Sequence, residues 1–148
     1  MELIAKKFDE LSTAELYEIL KSRSEVFMLG QNIICQDMDD IDYKSFHFFY
    51  MKNKRVAAYL RAFEKDGENE KIVIGRVLVL CGERGKGLGK RLMNESMEYL
   101  TRKYGKRIFV LHSQKHAAGF YEKLGFSVVS DEYLEEGVVH VTMEQQNL

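Results

Sequence analysis

The chain contains no proline, and only two of its 148 residues are cysteines. Cys35 and Cys81 are isolated and lack the C-x-x-C spacing of zinc or redox motifs, so we expect neither a disulfide framework nor a metal site. Free cysteines are typical of a reducing compartment, which predicts a cytoplasmic protein. Without proline, glycine must mark most of the turns.

Long apolar runs are also missing. No stretch approaches the ~20 residues that a membrane span requires, and the opening MELIAKKFDELS lacks the apolar core and cleavage site of a signal peptide. The formal net charge is -1, which gives no general bias toward nucleic acid or an anionic membrane. The length fits a single domain over residues 1–148 with one hydrophobic core.

The first half of the chain predicts a strand, a helix and three further strands. LIAKKF has the pattern of a short strand. STAELYEILKSRSEVFM has a helical apolar stripe, and Ser12 with Glu15 forms a capping box at its start. Residues 46–80 read as three strands, the last of them so continuously apolar that we expect it to be buried on both faces.

The second half alternates helices and strands. A helix with a broad apolar face follows a glycine-rich run, and RIFVLHS then predicts a strand. KHAAGFYEKLG predicts a short helix that ends at Gly125, and a closing pair of strands turns at Glu136-Gly137. The predicted order is β-α-β-β-β-α-β-α-β-β, which indicates an α/β fold with a mixed sheet flanked by helices.

The glycine-rich run RGKGLGKRL lies between a buried strand and a helix, where unpaired amides and the helix dipole favour an anion. A P-loop would need a glycine where the chain has Arg84 and a hydroxyl where it has Arg91. A dinucleotide fingerprint would need a glycine at Lys90 or Leu92. The run is therefore neither of these motifs.

A third pattern does fit. Arg84-x-x-Gly87-x-Gly89, placed after an apolar strand, resembles the acetyl-CoA-binding motif of the GNAT N-acetyltransferases. Downstream, SQKHAAGFYEKLGF is similar to the second signature of that family, with Gln114 seven positions before Tyr121. Segments near both ends of the chain resemble the ElaA branch of the family. The resemblance implies a GNAT fold, whose mixed sheet is splayed at the cofactor site.

The resemblance also implies a cofactor site. In the family, acetyl-CoA is the cosubstrate, and its pantetheine arm lies in the splayed opening beside the exposed backbone of the strand. Amides of the glycine run would hold the pyrophosphate, and the basic side chains would add charge-assisted bonds. The expected binding residues are Val77, Leu78, Val79, Arg84, Gly85, Lys86, Gly87, Leu88, Gly89, Lys90 and Gln114.

The family chemistry is direct attack of an amine on the thioester. Tyr121 matches the family position of the proton donor to the leaving thiolate, and a phenol with a pKa near ~10 can donate at neutral pH. Tyr121 could instead be an aromatic residue at the edge of the core. A backbone amide near Val79 is the expected donor to the oxyanion. For the general base, RIFVLHS has no carboxylate, so His112, His140 and a water relay are the alternatives.

The acceptor is expected to be a small-molecule or peptide amine that enters near GQNIICQDMDD. Asp37, Asp39 and Asp40 would either attract a cationic amine or form a solvated acidic loop. This region departs from the ElaA pattern, which has Val-Glu-Gln followed by Cys-Pro where this chain has Leu29-Gly30-Gln31 and Ile33-Ile34. Val139 also replaces the usual proline. The identity of the acceptor therefore cannot be inferred from the family resemblance.

Two other functions are compatible with parts of the sequence. One is a GNAT fold that binds acetyl-CoA without catalysis, as a regulatory or partner module. The other is an RNA- or phosphate-binding domain that uses the basic run 84–91, although stacking aromatics are absent beside it. We expect no nucleic-acid and no membrane partner. A homodimer is common in the family, but no feature of this chain requires one.

Overall fold

The computed structural model describes residues 1–31 and 35–146, which form eight strands and three α-helices. The helices are α1 (Thr13–Arg23), α2 (Leu88–Tyr104) and α3 (Ala118–Glu122). The strands are β1 (Ile4–Lys7), β2 (Phe46–Lys52), β3 (Arg55–Lys65), β4 (Glu68–Val79), β5 (Ile108–Gln114), β6 (Ser127–Val128), β7 (Tyr133–Glu135) and β8 (Val138–Gln146). Within the described residues, no helix combines the length and apolar character that crossing a membrane requires.

The strands form one mixed sheet in the order β1-β2-β3-β4-β5-β8-β6, with β7 also paired to β8. The β4–β5 pair is parallel, and the other described pairs are antiparallel. A parallel pair needs a crossover connection, which α2 supplies. The prediction of a mixed sheet with flanking helices is confirmed.

Helices cover both faces of the sheet. On one face, which we call the α2 face, Leu92 of α2 packs with Ile74 of β4 and Leu111 of β5. On the opposite α1 face, Ile19 of α1 packs with Tyr59 of β3. Because side chains alternate along a strand, both faces of the central strands carry apolar residues, and Ile72, Val73 and Ile74 of β4 are all buried.

The first helix begins as predicted and ends differently. The Glu15 amide donates to the Ser12 hydroxyl at 3.0 Å, and the Ser12 amide donates to the Glu15 carboxylate at 2.9 Å, so the capping box is confirmed. Regular α-helix stops at Arg23, and a π-helical turn continues over Ser24–Leu29. It closes with a 2.9 Å hydrogen bond from the Gly30 amide to the Glu25 carbonyl. The predicted helix is therefore confirmed to Met28, and its last turn is π-helical.

The end of the sheet also has one strand more than predicted. The hairpin β7–β8 turns at Glu136-Gly137, both with positive φ, as predicted. A short third strand, β6, pairs with β8 through Ser127 and Val128. Two exposed residues are too few to produce a periodic pattern, so the sequence predicted a pair instead of three strands.

The central strands separate partway along their length. The β4–β5 ladder runs from Lys71 opposite Ile108 to Ile74 opposite Leu111 and stops there, although both strands continue. Beyond that point, Arg76 adopts φ 52° in a bulge where the β3–β4 register shifts. A bulge bends its strand, so β4 stays paired with β3 and leaves β5. The predicted splay of the sheet is confirmed.

Candidate active site

The opening between β4 and β5 exposes backbone groups of β4. Leu80 donates its amide N–H to the Ala57 carbonyl on β3 at 2.9 Å. Because successive residues of an antiparallel strand direct their backbone groups to opposite sides, Leu78 also faces β3, whereas Val77 and Val79 face the opening. The Val79 carbonyl accepts a hydrogen bond from Arg84 Nε at 3.0 Å, and its N–H points into the opening.

The glycine run follows directly and contributes a row of free donors. Gly85 and Gly87 have φ of 80° and 76°, a conformation that favours glycine. Gly87 caps α2 without a side-chain bond, and the first helical bond runs from the Arg91 amide to the Gly87 carbonyl at 3.1 Å. The amides of residues 85–90 have no hydrogen-bond partner among the described residues. They lie at the positive end of a 17-residue helix, which makes this run a candidate anion site.

The charged side chains around this run are less available than their sequence indicates. Arg84 is bonded to the Val79 carbonyl. Lys86 lies 3.5 Å from Glu83, which also pairs with Lys52 at 2.9 Å. Lys90 is exposed and has no ion pair within the described chain. The anion site therefore rests mainly on backbone amides.

Two further members of the predicted cofactor set pack against their surroundings. The Leu88 side chain is buried in the core, which leaves its amide as the group that a ligand can reach. A Cβ on Gly89 would lie 3.4 Å from the Phe120 ring and 3.5 Å from Val79. This close approach places α3, which carries Phe120, beside the glycine run and the end of β4.

Tyr121 is the next residue of α3. Its ring centroid lies 5.0 Å from that of Phe120 and 6.1 Å from that of Phe126, both edge-to-face, and it packs against the main core. Its hydroxyl has no hydrogen-bond partner among the described residues. Burial raises the pKa of Tyr121 to about 12, so the phenol stays protonated at neutral pH. The ring is thus a core-edge aromatic, and its hydroxyl is still free to donate a proton.

Gln114 ends β5 on the other side of the opening. Its side-chain amide donates to the Gln31 Oε1 at 2.9 Å. Gln31 follows the π-helical turn after α1, so this bond joins the chain after α1 to the end of β5. A pantetheine contact would have to share or replace that bond.

His112 lies on β5, just beyond the last β4–β5 pair. Its Nδ1 is 3.1 Å from the Tyr133 hydroxyl and 3.3 Å from the Thr142 hydroxyl, which are 3.1 Å from each other. With Nδ1 protonated and bonded to these oxygens, Nε2 is left as a lone-pair nitrogen without a partner in the described chain. Partial burial of the ring lowers the pKa of His112, which favours the neutral form at pH 7.

His140 is brought to the same face by the β5–β8 register, which pairs it with Gln114. Its Nδ1 donates to the Val138 carbonyl at 2.8 Å, and its Nε2 lies 3.5 Å from the Glu135 carboxylate. Both ring nitrogens therefore have partners, and the residue is buried. Of the two histidines that the sequence left open, His112 has the free nitrogen.

Tyr133 is a further candidate site residue, which the sequence analysis did not identify. It contacts His112 through its hydroxyl and stacks on His140, with ring centroids 6.0 Å apart. The available signal was the hairpin at Glu136-Gly137. Continuing its register backward pairs Tyr133 with His140 across the turn.

The acidic segment of residues 35–42 differs from both expectations for it. Asp37 pairs with Arg23 and with Arg76, each at 2.8 Å, and so it is neither solvated nor free for a ligand. Arg23 also donates to Asp42 at 2.7 Å, and the side chain of this arginine is fully buried. The Ile33-Ile34 part of the predicted acceptor segment lies outside the described residues.

Asp39 is likewise engaged, by a bidentate pair with Arg61 at 2.7 and 2.8 Å. The hydrogen bond from Arg61 lowers the pKa of Asp39 to about 2. Arg61 also contacts Asp42 at 3.1 Å, which closes a network of three arginines and three aspartates. The expectation of free or solvated carboxylates is corrected for Asp37 and Asp39. Asp40 is exposed and lies outside the network.

Comparison with known proteins identifies the family. The protein-family model of the acetyltransferase (GNAT) domain matches residues 14–146 of this sequence. The chain belongs to the GNAT family. ElaA of Escherichia coli is 35% identical to this GNAT chain over 139 residues, which cover 93% of the chain and 91% of ElaA. The ElaA crystal structure matches with a TM-score of 0.91, covering 98% and 99% of the two chains. The resemblance to ElaA is confirmed.

Other solved GNAT structures agree with this result. An acyl-CoA N-acyltransferase from Pseudomonas aeruginosa is 30% identical, with a TM-score of 0.91 over 97% of this chain and 98% of its own. An aminoglycoside 6'-N-acetyltransferase solved in complex with coenzyme A has a TM-score of 0.73 at 13% identity, and it covers 97% of this chain and 96% of its own. At that identity the match shows the fold alone. The GNAT fold predicted from the sequence is confirmed.

Proposed function

We propose that this protein transfers the acetyl group of acetyl-CoA to a primary amine, by direct attack of the amine on the thioester. The proposal rests on one observation: β4 and β5 separate beyond Ile74 and Leu111, and the opening between them lies next to a row of unpaired amides at the start of α2. An extended thioester carrier with a diphosphate needs both features together: an open strand edge and an anion site.

The residues present fit acetyl-CoA, which supplies an acetyl group activated as a thioester. The amides of residues 85–90 and the Lys90 side chain would hold the diphosphate. The backbone of Val77 and Val79, which faces the opening, would hold the pantetheine arm in the manner of an added strand. Gln114 lies at the opposite side of the same opening and would close it.

Two groups of the chain serve the acyl transfer itself. The Val79 N–H faces the opening and would donate to the carbonyl oxygen as negative charge develops there. Tyr121 would give its proton to the departing sulfur, because its raised pKa keeps the hydroxyl protonated and no described residue occupies that hydroxyl. Such a proton transfer contributes roughly 10²–10⁴-fold in rate.

His112 is the proposed general base for the amine. Its Nδ1 is held by Tyr133 and Thr142, and its Nε2 is free to accept a proton. The lowered pKa keeps the ring neutral at pH 7. His140 does not fit this role because both of its nitrogens are engaged. Since His112 is exposed, water could also reach this position and relay the proton.

The test separates binding from turnover. Acetyl-CoA and CoA should raise the melting temperature and perturb the NMR signals of the amides of residues 85–90, whereas NAD should do neither. Release of free thiol is then followed with polyamines, amino sugars, arylalkylamines and peptides with free N-termini. No thermal shift with saturating acetyl-CoA would overturn the proposal. Binding of acetyl-CoA without release of its thiol in the presence of any of these amines would instead identify a non-catalytic acetyl-CoA-binding module.

A further inference from the structure

Gly75 is the residue of β4 at which the strand separates from β5. The β4–β5 ladder ends with Ile74 opposite Leu111, so Gly75 and His112 are the first two residues beyond it. On its other side, Gly75 pairs with Arg61 of β3. The residue thus stands at the mouth of the opening, at the level of the proposed general base.

The register shows which face an added side chain at Gly75 would occupy. Ile74 and Leu111 belong to the core on the α2 face, so the next residues, Gly75 and His112, face the α1 side. The pairing of Gly75 with Arg61 leads to the same face. Tyr59 lies on the α1 face, Arg61 is two residues further along β3 and so lies on the same face, and directly opposed residues such as Arg61 and Gly75 share a face. The missing side chain of Gly75 therefore lies on the His112 face.

Neither backbone conformation nor packing requires a glycine here. The left-handed residue of the bulge is Arg76, with φ 52°, and Gly75 is not among the glycines with positive φ. A Cβ built on Gly75 has no heavy atom within 4 Å, so no neighbour approaches it closely. Glycine weakens a strand interior and often marks a bulge, a tight bend or the close approach of a ligand; here Arg76, and not Gly75, takes the left-handed conformation of the bulge, which leaves the approach of a ligand.

We infer that Gly75 is a specificity-determining position, which leaves room beside His112 for the amino group of the acceptor and the carbon that bears it. This inference rests on the proposed acetyl transfer. It predicts that the site takes primary amines and that substituents on the carbon next to the nitrogen compete for the space that the missing side chain leaves.

The experiment fills that space in steps. Gly75→Ala and Gly75→Val are compared with Gly82→Ala, a matched control at a glycine that also lacks positive φ and has no atom within 4 Å of its Cβ. Each variant is assayed with an unbranched primary alkylamine and with its isomer that carries a methyl group next to the nitrogen. Melting temperature and the thermal shift caused by acetyl-CoA are measured in parallel.

Gly75→Val should keep the coenzyme shift and lower kcat/KM about tenfold for the unbranched amine and about a hundredfold for the branched one, within the range that single methylene groups produce in tight sites. Gly75→Ala, whose added carbon meets nothing, should show a smaller loss of the same kind. The Gly82→Ala control should match the wild type.

Two outcomes would overturn the inference. One is unchanged kcat/KM for both amines in both Gly75 variants. The other is an equal loss for the two amines together with loss of the coenzyme shift, which would indicate a cofactor or folding role. If the wild type binds acetyl-CoA and releases thiol normally, either of these outcomes overturns only the inference about Gly75 and leaves the proposed function intact. A wild type that neither binds acetyl-CoA nor releases thiol removes the proposed function as well.

Discussion

The glycine run of residues 85–90 and the acidic segment of residues 35–42 are both polar and irregular, yet they use their polar groups in opposite ways. In the run, six consecutive amides have no partner within the described chain. In the segment, Asp37 and Asp39 are bonded to arginines from α1, β3 and β4. The comparison teaches that formal charge alone does not identify a candidate ligand site, because the charged groups of the acidic segment are already paired and the amides of the run are not.

The arginine–aspartate network has a structural role of its own. Arg23, Arg61 and Arg76 balance Asp37, Asp39 and Asp42 in formal charge, so the network itself adds no net charge, and the exposed Asp40 is the carboxylate that remains outside it. Arg76 is also the left-handed residue of the β4 bulge. Its bonds to Asp37 therefore tie the acidic segment to the point where the sheet opens.

The largest effect is expected where an unused group does chemistry. Tyr121→Phe should lower kcat by roughly 10²–10⁴-fold, because it removes the proposed proton donor but keeps the ring that packs on Phe120 and Phe126. Stopped-flow or steady-state thiol release measures the loss, and the acetyl-CoA thermal shift should not change. Equal rates for both proteins would remove Tyr121 from the mechanism.

In the arginine–aspartate network, where the charged groups are already paired, we expect a substitution to lower stability. Arg23→Met should cost about 3–5 kcal/mol of unfolding free energy, because it leaves the buried Asp42 with only part of its compensation. Urea denaturation measures this loss. Lys44→Gln, which breaks the exposed pair with Asp66, is the control and should cost about 0–1 kcal/mol. If the two variants unfold alike, the network is not a structural element.

The same distinction applies to the two histidines. His112→Gln should lower kcat about 10²-fold, the lower end for a lost base, because water can reach this exposed position. His140→Gln should act mainly on stability, since the ring is buried, its Nδ1 donates to the Val138 carbonyl and its Nε2 lies beside the Glu135 carboxylate. Partial burial of the ring lowers the pKa of His112 below the ordinary 6.5, so its contribution to the rate should rise with pH in the range below 6.5 and be constant at neutral pH.

The pH profile of kcat checks that assignment. The acidic limb should vanish in His112→Gln and persist in His140→Gln. Tyr133, Thr142, Glu135, His140 and Lys65 all influence the His112 ring, so the limb reports the combined effect of these groups. A limb that survives in His112→Gln would favour a water relay instead.

Two glycines with the same strain test the anion site. Gly87 and Gly67 have φ of 76° and 77°, and a Cβ on either meets nothing within 4 Å. Alanine at each should cost about 1 kcal/mol of stability, because both positions are left-handed. Only Gly87→Ala should also weaken acetyl-CoA binding, about tenfold, since the new methyl lies among the free amides. Calorimetric titration of both variants measures the difference, and equal affinities would contradict the site.

The structural features that could be predicted from the sequence are those that depend on residues close together in the chain. The capping box of Ser12 and Glu15, the left-handed Gly125 after α3 and the turn at Glu136-Gly137 each depend on local backbone chemistry. The mixed sheet followed from the order of these elements, and its splay from the family resemblance.

The parts that the sequence did not predict depend on contacts between distant residues. Asp37 and Arg76 are 39 positions apart, and His112 and Tyr133 are 21 apart. Composition shows an acidic segment and two histidines, but only the folded sheet decides which carboxylates meet arginines and which imidazole nitrogen stays free. The π-helical turn also escaped prediction, because its residues continue an ordinary helical pattern.

The smallest effect is expected at the exposed rim of the acidic segment. The pKa of Asp39 is lowered to about 2 by Arg61, so its ion pair stabilises the fold above the ordinary aspartate pKa of ~3.9 and loses that contribution as the pH falls toward 2. Because about a third of the side chain is exposed, this contribution should be only about 0–1 kcal/mol. Asp39→Asn should therefore lose less stability than the wild type between pH 4 and pH 2, as urea denaturation at each pH would show. The same variant should keep the wild-type coenzyme shift at pH 7, and a weakened shift would mean that the segment and the glycine run are energetically coupled.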